Sequence, residues 1–403
     1  MRRALAAIAL ALCLAAPAAA ASDCPREPSL SRALHQALYQ AQQQMEKKNP
    51  AQAARDLARY AAQNPREAHH QLSFLRGVLA YQAGDKKAAE AFFAQAVQLW
   101  PCFVPALRNL ALLHFEQKRP AQAIDLALRA YRLVKPPRPG LLYEAAVFAM
   151  SAGQTGRALP WLQELAARPQ PQEQWLSALL RAHMELKNYP QAQAVLERLL
   201  AAHPGQVRYW RLAASLASLQ ERWAPAAAAL EVAYRLQPPE AQDWRQLADL
   251  YRAAGVPQQA ARCYLQAWGP QVKEPQQMDT LAQVYGQGSY AQQALAWALR
   301  AARAQPTAPR WALVGRLLLE AKRYPAAHAA YQKAAALADP QGRHSLLAGY
   351  AAWQAERLEL AQAAFARALE RAPARSATAR DAARALKDLE AARRAARQAQ
   401  AGG

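Results

Sequence analysis

A repeat of about 34 residues constrains this chain more than any other feature. Alanine recurs at ten positions that lie 33 to 36 residues apart, namely Ala53, Ala89, Ala123, Ala158, Ala192, Ala226, Ala260, Ala294, Ala327 and Ala361. Such a period is typical of supersecondary units that cannot bury an apolar face alone and therefore stack on their neighbours. We expect an array of repeats, because 403 residues exceed what one compact core usually holds.

A second small position precedes each recurring alanine by twelve residues. Nine of these ten positions are Ala or Gly: Ala41, Gly77, Ala111, Ala146, Leu180 (the exception), Ala214, Ala248, Ala282, Gly315 and Gly349. Two antiparallel helices approach closely only where both carry small side chains. The paired positions therefore predict one helical hairpin in each repeat.

Composition supports an all-α fold. The chain is rich in Ala, Leu, Gln and Arg, has 15 Gly and 7 Phe, and contains no alternating run of Val, Ile and Thr that would indicate a strand. Proline follows the second helix of six repeats, where its missing N–H stops the helix: Pro65, Pro101, Pro204, Pro238, Pro306 and Pro373.

The side chains between these positions resemble the tetratricopeptide repeat (TPR) pattern. One copy reads Trp244, Leu247, Ala248, Tyr251, Ala260, Tyr264 and Ala267, and another reads Trp311, Val314, Gly315, Tyr324, Ala327, Tyr331 and Ala334. The resemblance implies a right-handed α-solenoid of about ten TPR helix-turn-helix repeats over residues 34–374. Residues 375–403 are expected to form a C-terminal capping helix and a basic tail.

The N-terminus has the pattern of a secretory signal peptide over residues 1–21. Arg2 and Arg3 precede an apolar stretch and small residues, and we expect cleavage after Ala20 or Ala21. Residues 22–33 would then form an N-terminal arm. No later stretch reaches about 18 apolar residues, so we predict an exported, periplasmic chain with no transmembrane segment after the signal.

Three cysteines follow the predicted signal peptide. Cys263 lies on an apolar helix face, and we expect it to be a small buried hydrophobe. Cys24 and Cys102 both neighbour proline in turn-like sequence, and a disulfide between them could fix the arm in an oxidising compartment. The sequence leaves open whether they pair.

No catalytic constellation is recognisable. The eight histidines are scattered, and the adjacent His69 and His70 point to different faces of a helix rather than to one shared face. Phosphate-loop, zinc-protease and nucleophile-elbow motifs are missing from the sequence. We therefore predict no enzyme activity, no cofactor and no metal site.

A TPR solenoid would offer a concave groove lined by its first helices. The register places Phe74, Arg108, Tyr143, Tyr350 and the predicted partner-binding residues there, the latter being Arg181, Arg208, Arg211, Arg245, Asp249, Arg252 and Arg316. Arginine forks bind carboxylates well, so one hypothesis is an acidic peptide or protein as partner. The alternative is that a chain of formal net charge +21 carries arginine at every exposed position. The chaperone-binding clamp of Lys and Asn is replaced here by Arg with Ser or Asp.

Residues 174–374 resemble exported bacterial TPR proteins that accompany TonB, ExbB and ExbD energy-transducing systems. The stretch beginning NYPQAQAVLERLL and the stretch LADLYRAAGVPQQAARCYLQA carry this likeness. It implies an accessory scaffold that contacts inner-membrane energy-transduction components. The alternative is a TPR scaffold in exopolysaccharide secretion or outer-membrane assembly. Export argues against nucleic acid as a partner.

Overall fold

A computed structural model of the chain describes residues 24–269 and 271–401. Within these residues the chain forms 21 helices and no strand. The signal peptide predicted for residues 1–21 lies outside the described part. The chain divides between Pro204 and Gly205 into two compact units, unit 1 and unit 2.

Unit 1 contains five helical hairpins. Its helices are α1 (Arg32–Glu46), α2 (Pro50–Gln63), α3 (His70–Gln82), α4 (Lys86–Leu99), α5 (Val104–Glu116), α6 (Pro120–Leu133), α7 (Pro139–Ser151), α8 (Thr155–Ala166), α9 (Glu173–Glu185) and α10 (Tyr189–Ala202). Successive helices pack on each other throughout, including α6 and α7 on either side of the proline-rich segment 135–140.

Unit 2 contains five more hairpins and one final helix. Its helices are α11 (Val207–Leu219), α12 (Trp223–Leu236), α13 (Ala241–Ala253), α14 (Pro257–Trp268), α15 (Pro275–Gly286), α16 (Ala291–Ala304), α17 (Ala308–Glu320), α18 (Tyr324–Leu337), α19 (Arg343–Gln354), α20 (Leu358–Arg371) and α21 (Ala377–Ala401). The prediction of about ten helical hairpins followed by a C-terminal helix is confirmed.

The recurring alanines form the contact inside every hairpin. All ten lie on second helices and have 0% of their surface exposed. The small positions twelve residues earlier lie on first helices and are buried as well. The close approach that small side chains allow is therefore the feature that joins the two helices of each repeat.

Glycine at the first-helix position accommodates an aromatic ring from the second helix. Gly77 faces Phe93, Gly315 faces Tyr331, and Gly349 faces Phe365, each ring lying sixteen residues further along the chain. A Cβ atom at residue 77 would lie 2.7 Å from two carbon atoms of the Phe93 ring. These glycines are thus required by the size of the ring that covers them.

The turn inside a hairpin has the same backbone conformation in nine of the ten described repeats. The residue five positions before the recurring alanine has a positive φ: Lys48, Gly84, Lys118, Gly153, Lys187, Glu221, Gly255, Lys322 and Glu356. The next residue donates its N–H to a carbonyl five residues earlier, as Arg119 does to His114 at 2.8 Å. This is the Schellman ending of a helix, which fixes the direction of the second helix.

The last helix covers the final repeat. Ala382, Ala385 and Leu389 of α21 are buried in one cluster with Phe365 and Ala368 of α20. Arg380 and Arg384, on the same helix, are exposed. The helix therefore gives the stack a polar end, as repeat arrays require. No helix in the described ranges combines the length and apolarity that crossing a membrane requires.

Candidate protein-binding surface

The sequence-predicted groove residues of unit 2 lie on exposed faces of first helices. Arg208 and Arg211 are on α11, while Arg245, Asp249 and Arg252 are on α13. Spacings of three, four and seven residues place the members of each helix on one face. Arg316 occupies the equivalent face of α17. Arg181 belongs to α9 in unit 1.

Arg211 connects three consecutive helices of unit 2. Its Nη2 atom lies 3.7 Å from Oδ2 of Asp243 on α13, and its guanidinium carbon lies 5.9 Å from the ring centre of Tyr234 on α12. The Asp243 carboxylate also accepts a hydrogen bond from the N–H of Glu240 at 3.0 Å, which caps α13. Arg211 is therefore oriented by the fold but held only loosely by its acidic neighbour.

Asp249 is already engaged inside the protein. The Tyr264 hydroxyl donates a hydrogen bond to Oδ1 of Asp249, and Nη2 of Arg252 lies 3.6 Å from the same oxygen. Burial, followed by this hydrogen bond to a carboxylate, raises the pKa of Tyr264 to about 12. Asp249 thus positions Arg252 and Tyr264, which the sequence did not indicate.

The remaining predicted arginines differ in their neighbours. Arg208 lies over the Tyr209 ring at 4.7 Å. Arg316 lies 3.7 Å from Glu320, and Arg181 lies 2.8 Å from Glu185, both four residues further along the same helix. Arg245 is exposed, and among the described residues it has no hydrogen bond or ion pair. Arg245 is therefore the most available cation on this surface.

In unit 1 part of the equivalent first-helix face, on α3 and α5, is largely apolar. Val78 and Tyr81 of α3 and Leu112 of α5, with Gln82, Phe93 and Asn109, line a shallow, open depression. Phe74, which we expected in the groove, packs 5.8 Å from the Phe93 ring and 5.2 Å from the Phe103 ring. Arg108 is bound by Glu144 of the next repeat. Val78 and Leu112 at this register were the sequence pattern that could have indicated the depression.

The N-terminal arm lies across the edge of unit 1. The sulfur atoms of Cys24 and Cys102 are 2.09 Å apart and their Cα atoms 5.9 Å apart, which is a disulfide. The Pro25 carbonyl accepts a hydrogen bond from Trp100 Nε1 at 3.1 Å, and the Pro28 carbonyl lies 3.2 Å from His69 Nε2. The arm thus contacts the segments that connect the first three repeats.

His70 is fully buried beneath this arm. Glu27 Oε1 lies 3.2 Å from its Nε2 atom, yet neither ring nitrogen makes a hydrogen bond. The rings of Trp100 and Phe103 lie 4.8 and 4.6 Å away. Burial, and secondarily the charge of His69, lower the pKa of His70 to about 3. His70 is therefore a neutral packing residue.

Cys263 is buried without a disulfide partner, and burial raises the pKa of its thiol to about 11. A thiol of this kind is a poor nucleophile at neutral pH. In the described part of the chain, no three His, Cys, Asp or Glu side chains are grouped so that they could hold a metal ion.

Stacked hairpins with small crossing residues and an exposed first-helix face define a helical-repeat protein. Family models described as tetratricopeptide repeat match residues 38–101, 135–216 and 314–377, which together make up about half of the chain. The chain is a TPR protein. No curated protein matches it.

The solved structures that match this chain share little sequence with it. A tetratricopeptide repeat protein from Parabacteroides merdae is 14% identical with a TM-score of 0.41, over 62% of this chain and 98% of that one. YrrB, a TPR protein with an unusual peptide-binding site, is 17% identical with a TM-score of 0.39, over 47% and 97%. MamA from Desulfovibrio magneticus is 21% identical with a TM-score of 0.35, over 41% and 92%.

Proposed function

We propose that this chain is a non-enzymatic, exported scaffold that binds an acidic segment of a partner protein on the first-helix face of unit 2. Arg245 carries the proposal, because it is exposed and makes no hydrogen bond or ion pair among the described residues. Arg211 occupies the same register one repeat earlier, and Arg252 lies two turns further along α13. The partner's carboxylates would bind these guanidinium groups through paired hydrogen bonds.

The acids already present compete weakly for these arginines. The separations from Arg211 to Asp243 and from Arg252 to Asp249 are 3.7 and 3.6 Å, and both arginines are more than 40% exposed. Exposed ion pairs of this kind contribute at most about 1 kcal/mol. A partner carboxylate can therefore replace them at little cost.

The test is direct binding of a fluorescent peptide rich in Asp and Glu, compared with its Asn and Gln counterpart. Changing Arg211→Glu and Arg245→Glu together should abolish binding of the acidic peptide and leave helix content unchanged. The control changes Arg235→Glu and Arg262→Glu, two exposed arginines on second helices of the same unit.

Binding that survives in the first variant, or that falls equally in both, would remove the proposal. The amide counterpart should bind weakly to every variant, because it offers no carboxylate. Raising the salt concentration should weaken binding of the acidic peptide, since charge interactions at exposed sites are screened.

The finer proposal concerns location and partner. The signal-peptide pattern of residues 1–21 supports export, and the disulfide between Cys24 and Cys102 suits an oxidising compartment. The likeness of residues 174–374 suggests an accessory of a TonB, ExbB and ExbD complex. A tagged chain should appear in the periplasmic fraction with its N-terminus at Ala21 or Ser22, and should co-purify with these components.

A chain that stays in the cytoplasm with residues 1–21 attached would overturn the export proposal. Recovery of polysaccharide-secretion or barrel-assembly proteins instead would move the function to the alternative role. Neither result decides the peptide-binding proposal, which is tested separately through Arg211 and Arg245.

A further inference from the structure

Four cations on second helices of unit 2 have no acidic partner. Arg300 and Arg303 lie on α16, Lys333 on α18 and Arg367 on α20; all four are exposed, and none forms an ion pair within the described ranges. These helices belong to repeats that share one hydrophobic cluster. We call these four residues the outer basic surface.

Acidic residues are nearly excluded from this surface. The sequences of α16 and α18 contain no Asp or Glu at all. Asp339, which follows α18, is buried and accepts hydrogen bonds from the backbone N–H groups of His344 and Ser345 at 2.9 Å. Only Glu359 and Glu370 of α20 oppose the positive charge. The outer basic surface therefore fits an anionic partner.

The floor of the surface is shallow. Many exposed residues beside the cations are small, namely Ala296, Ala329, Ala336, Ala363 and Ala366; Gln332 and Leu369 are larger exposed neighbours. Protein partners gain most of their binding energy from large anchors that fill pockets. An alanine floor suits a fluid layer of headgroups better, because such a layer adapts to the positions of the charges. Leu337, 49% exposed, adds an apolar contact at the end of α18.

Two tryptophan rings beside the surface are already covered. The guanidinium carbon of Arg300 lies 4.7 Å from the Trp297 ring centre, and Nζ of Lys333 lies 4.3 Å from that of Trp311. Both rings also pack against the core cluster. Sugars and single-stranded bases bind by stacking on free aromatic faces. Because both tryptophan rings are covered, ligands that bind by stacking are disfavoured. The cations beside the rings favour ligands that carry phosphate groups.

We propose that the outer basic surface docks unit 2 on the anionic headgroups of a phospholipid bilayer. The surface is formed by second helices, whereas the proposed partner site lies on first helices. The inference therefore goes beyond the proposed function and is tested separately from it.

The experiment is flotation of the purified chain with vesicles of phosphatidylcholine alone or mixed equally with phosphatidylglycerol. Binding should require phosphatidylglycerol. Changing Arg300, Arg303, Lys333 and Arg367 to Gln should lower partitioning at least about tenfold, since each cation near an anionic surface adds to the attraction. A double variant, Arg303→Gln with Lys333→Gln, should partition to a degree between those of the unchanged chain and the quadruple variant.

The matched control removes the same charge from first helices by changing Arg211, Arg245, Arg252 and Arg316 to Gln. It should partition within about threefold of the unchanged chain, because charges beyond a Debye length of about 10 Å are screened at 0.1 M salt. In the peptide-binding assay the first-helix variant should lose binding of the acidic peptide, whereas the variant of the outer basic surface should retain it.

Absence of binding to phosphatidylglycerol vesicles, or an equal loss in both variants, would overturn the proposal. Dextran sulfate is the probe for a soluble polyanion. If it binds through the same four cations while vesicles do not, the surface recognises a polymer and the bilayer proposal is wrong. Leu337→Ser should weaken vesicle binding alone.

Discussion

Phe93 of α4 packs its ring directly against the Cα atom of Gly77 on α3. A Cβ atom at residue 77 would lie 2.7 Å from Cδ1 and Cε1 of that ring and 3.3 Å from Cβ of Phe92. The chain contains natural combinations at the same register: Ala146 with Leu162, and Ala214 with Leu230. Three hairpins thus pair glycine with a ring and these two pair alanine with leucine, while Ala248 with Tyr264 is an exception at this register.

This pairing predicts that Gly77→Ala destabilises unit 1 by about 1 to 3 kcal/mol, because the fully buried ring must shift. Phe93→Leu alone should also destabilise, since it leaves a void. The double variant reproduces the Ala146 and Leu162 combination, so its loss should be smaller than the sum by about 1 kcal/mol or more. Urea unfolding followed by circular dichroism measures all three, and strict additivity would contradict the prediction.

The hairpin turns give a second prediction through Lys322 and Gly255. Lys322 has a φ of 58°, where an L-residue with a side chain is strained, and Gly255 has a φ of 72° with open space around it. Lys322→Gly should therefore stabilise unit 2 by about 0.5 to 1 kcal/mol, and Gly255→Lys should destabilise it by a similar amount.

Lys333→Gly is the control for Lys322→Gly, because residue 333 lies inside α18, where glycine costs about 1 kcal/mol. The urea concentrations at which each variant is half unfolded measure these changes in stability. A loss of stability in Lys322→Gly would mean that contacts of the lysine side chain outweigh the backbone strain.

The sequence predicted the hairpins because their contacts are local. Ala260 and Ala248 are twelve residues apart, and their burial follows from the repeat period alone. The environment of Asp249 could not be predicted in this way, because its partner Tyr264 comes from the facing helix and the contact depends on how the two helices pack. The arm itself was expected, but its contacts with Trp100 and His69 could not be predicted, since Pro25 and Pro28 use backbone carbonyls, which leave no pattern in the sequence.

The disulfide between Cys24 and Cys102 closes a long loop, since the two residues are 78 positions apart. Cys102→Ser should therefore lower the stability of the first two hairpins by about 2 to 4 kcal/mol, as loop closure in the unfolded state is lost. Amide exchange of residues 25–31 should become faster, because the arm then keeps only noncovalent contacts, among them those with Trp100, His69 and His70. Cys263→Ser is the control and should leave exchange in the arm unchanged. Equal exchange in Cys102→Ser and the unchanged chain would show that the disulfide does not hold the arm.

His70 predicts that docking of the arm weakens in acid. Its pKa is about 3 in the folded chain, against an ordinary value of about 6.5, so the folded state binds fewer protons between these pH values. Stability is fully present above pH 6.5 and falls as the pH drops, by up to about 1.4 kcal/mol per unit.

Amide exchange of residues 25–31 at pH 7 and pH 5, corrected for the intrinsic rate, measures the effect of His70. The unchanged chain should lose protection at pH 5, whereas His70→Leu should show the same protection at both values because it has no group to protonate. His35→Gln is the matched control, since His35 is exposed on α1 and its removal should preserve the pH dependence. An unchanged slope in His70→Leu would assign the acid sensitivity to another group, with His69 the first to test because its ring lies 4.2 Å from that of His70.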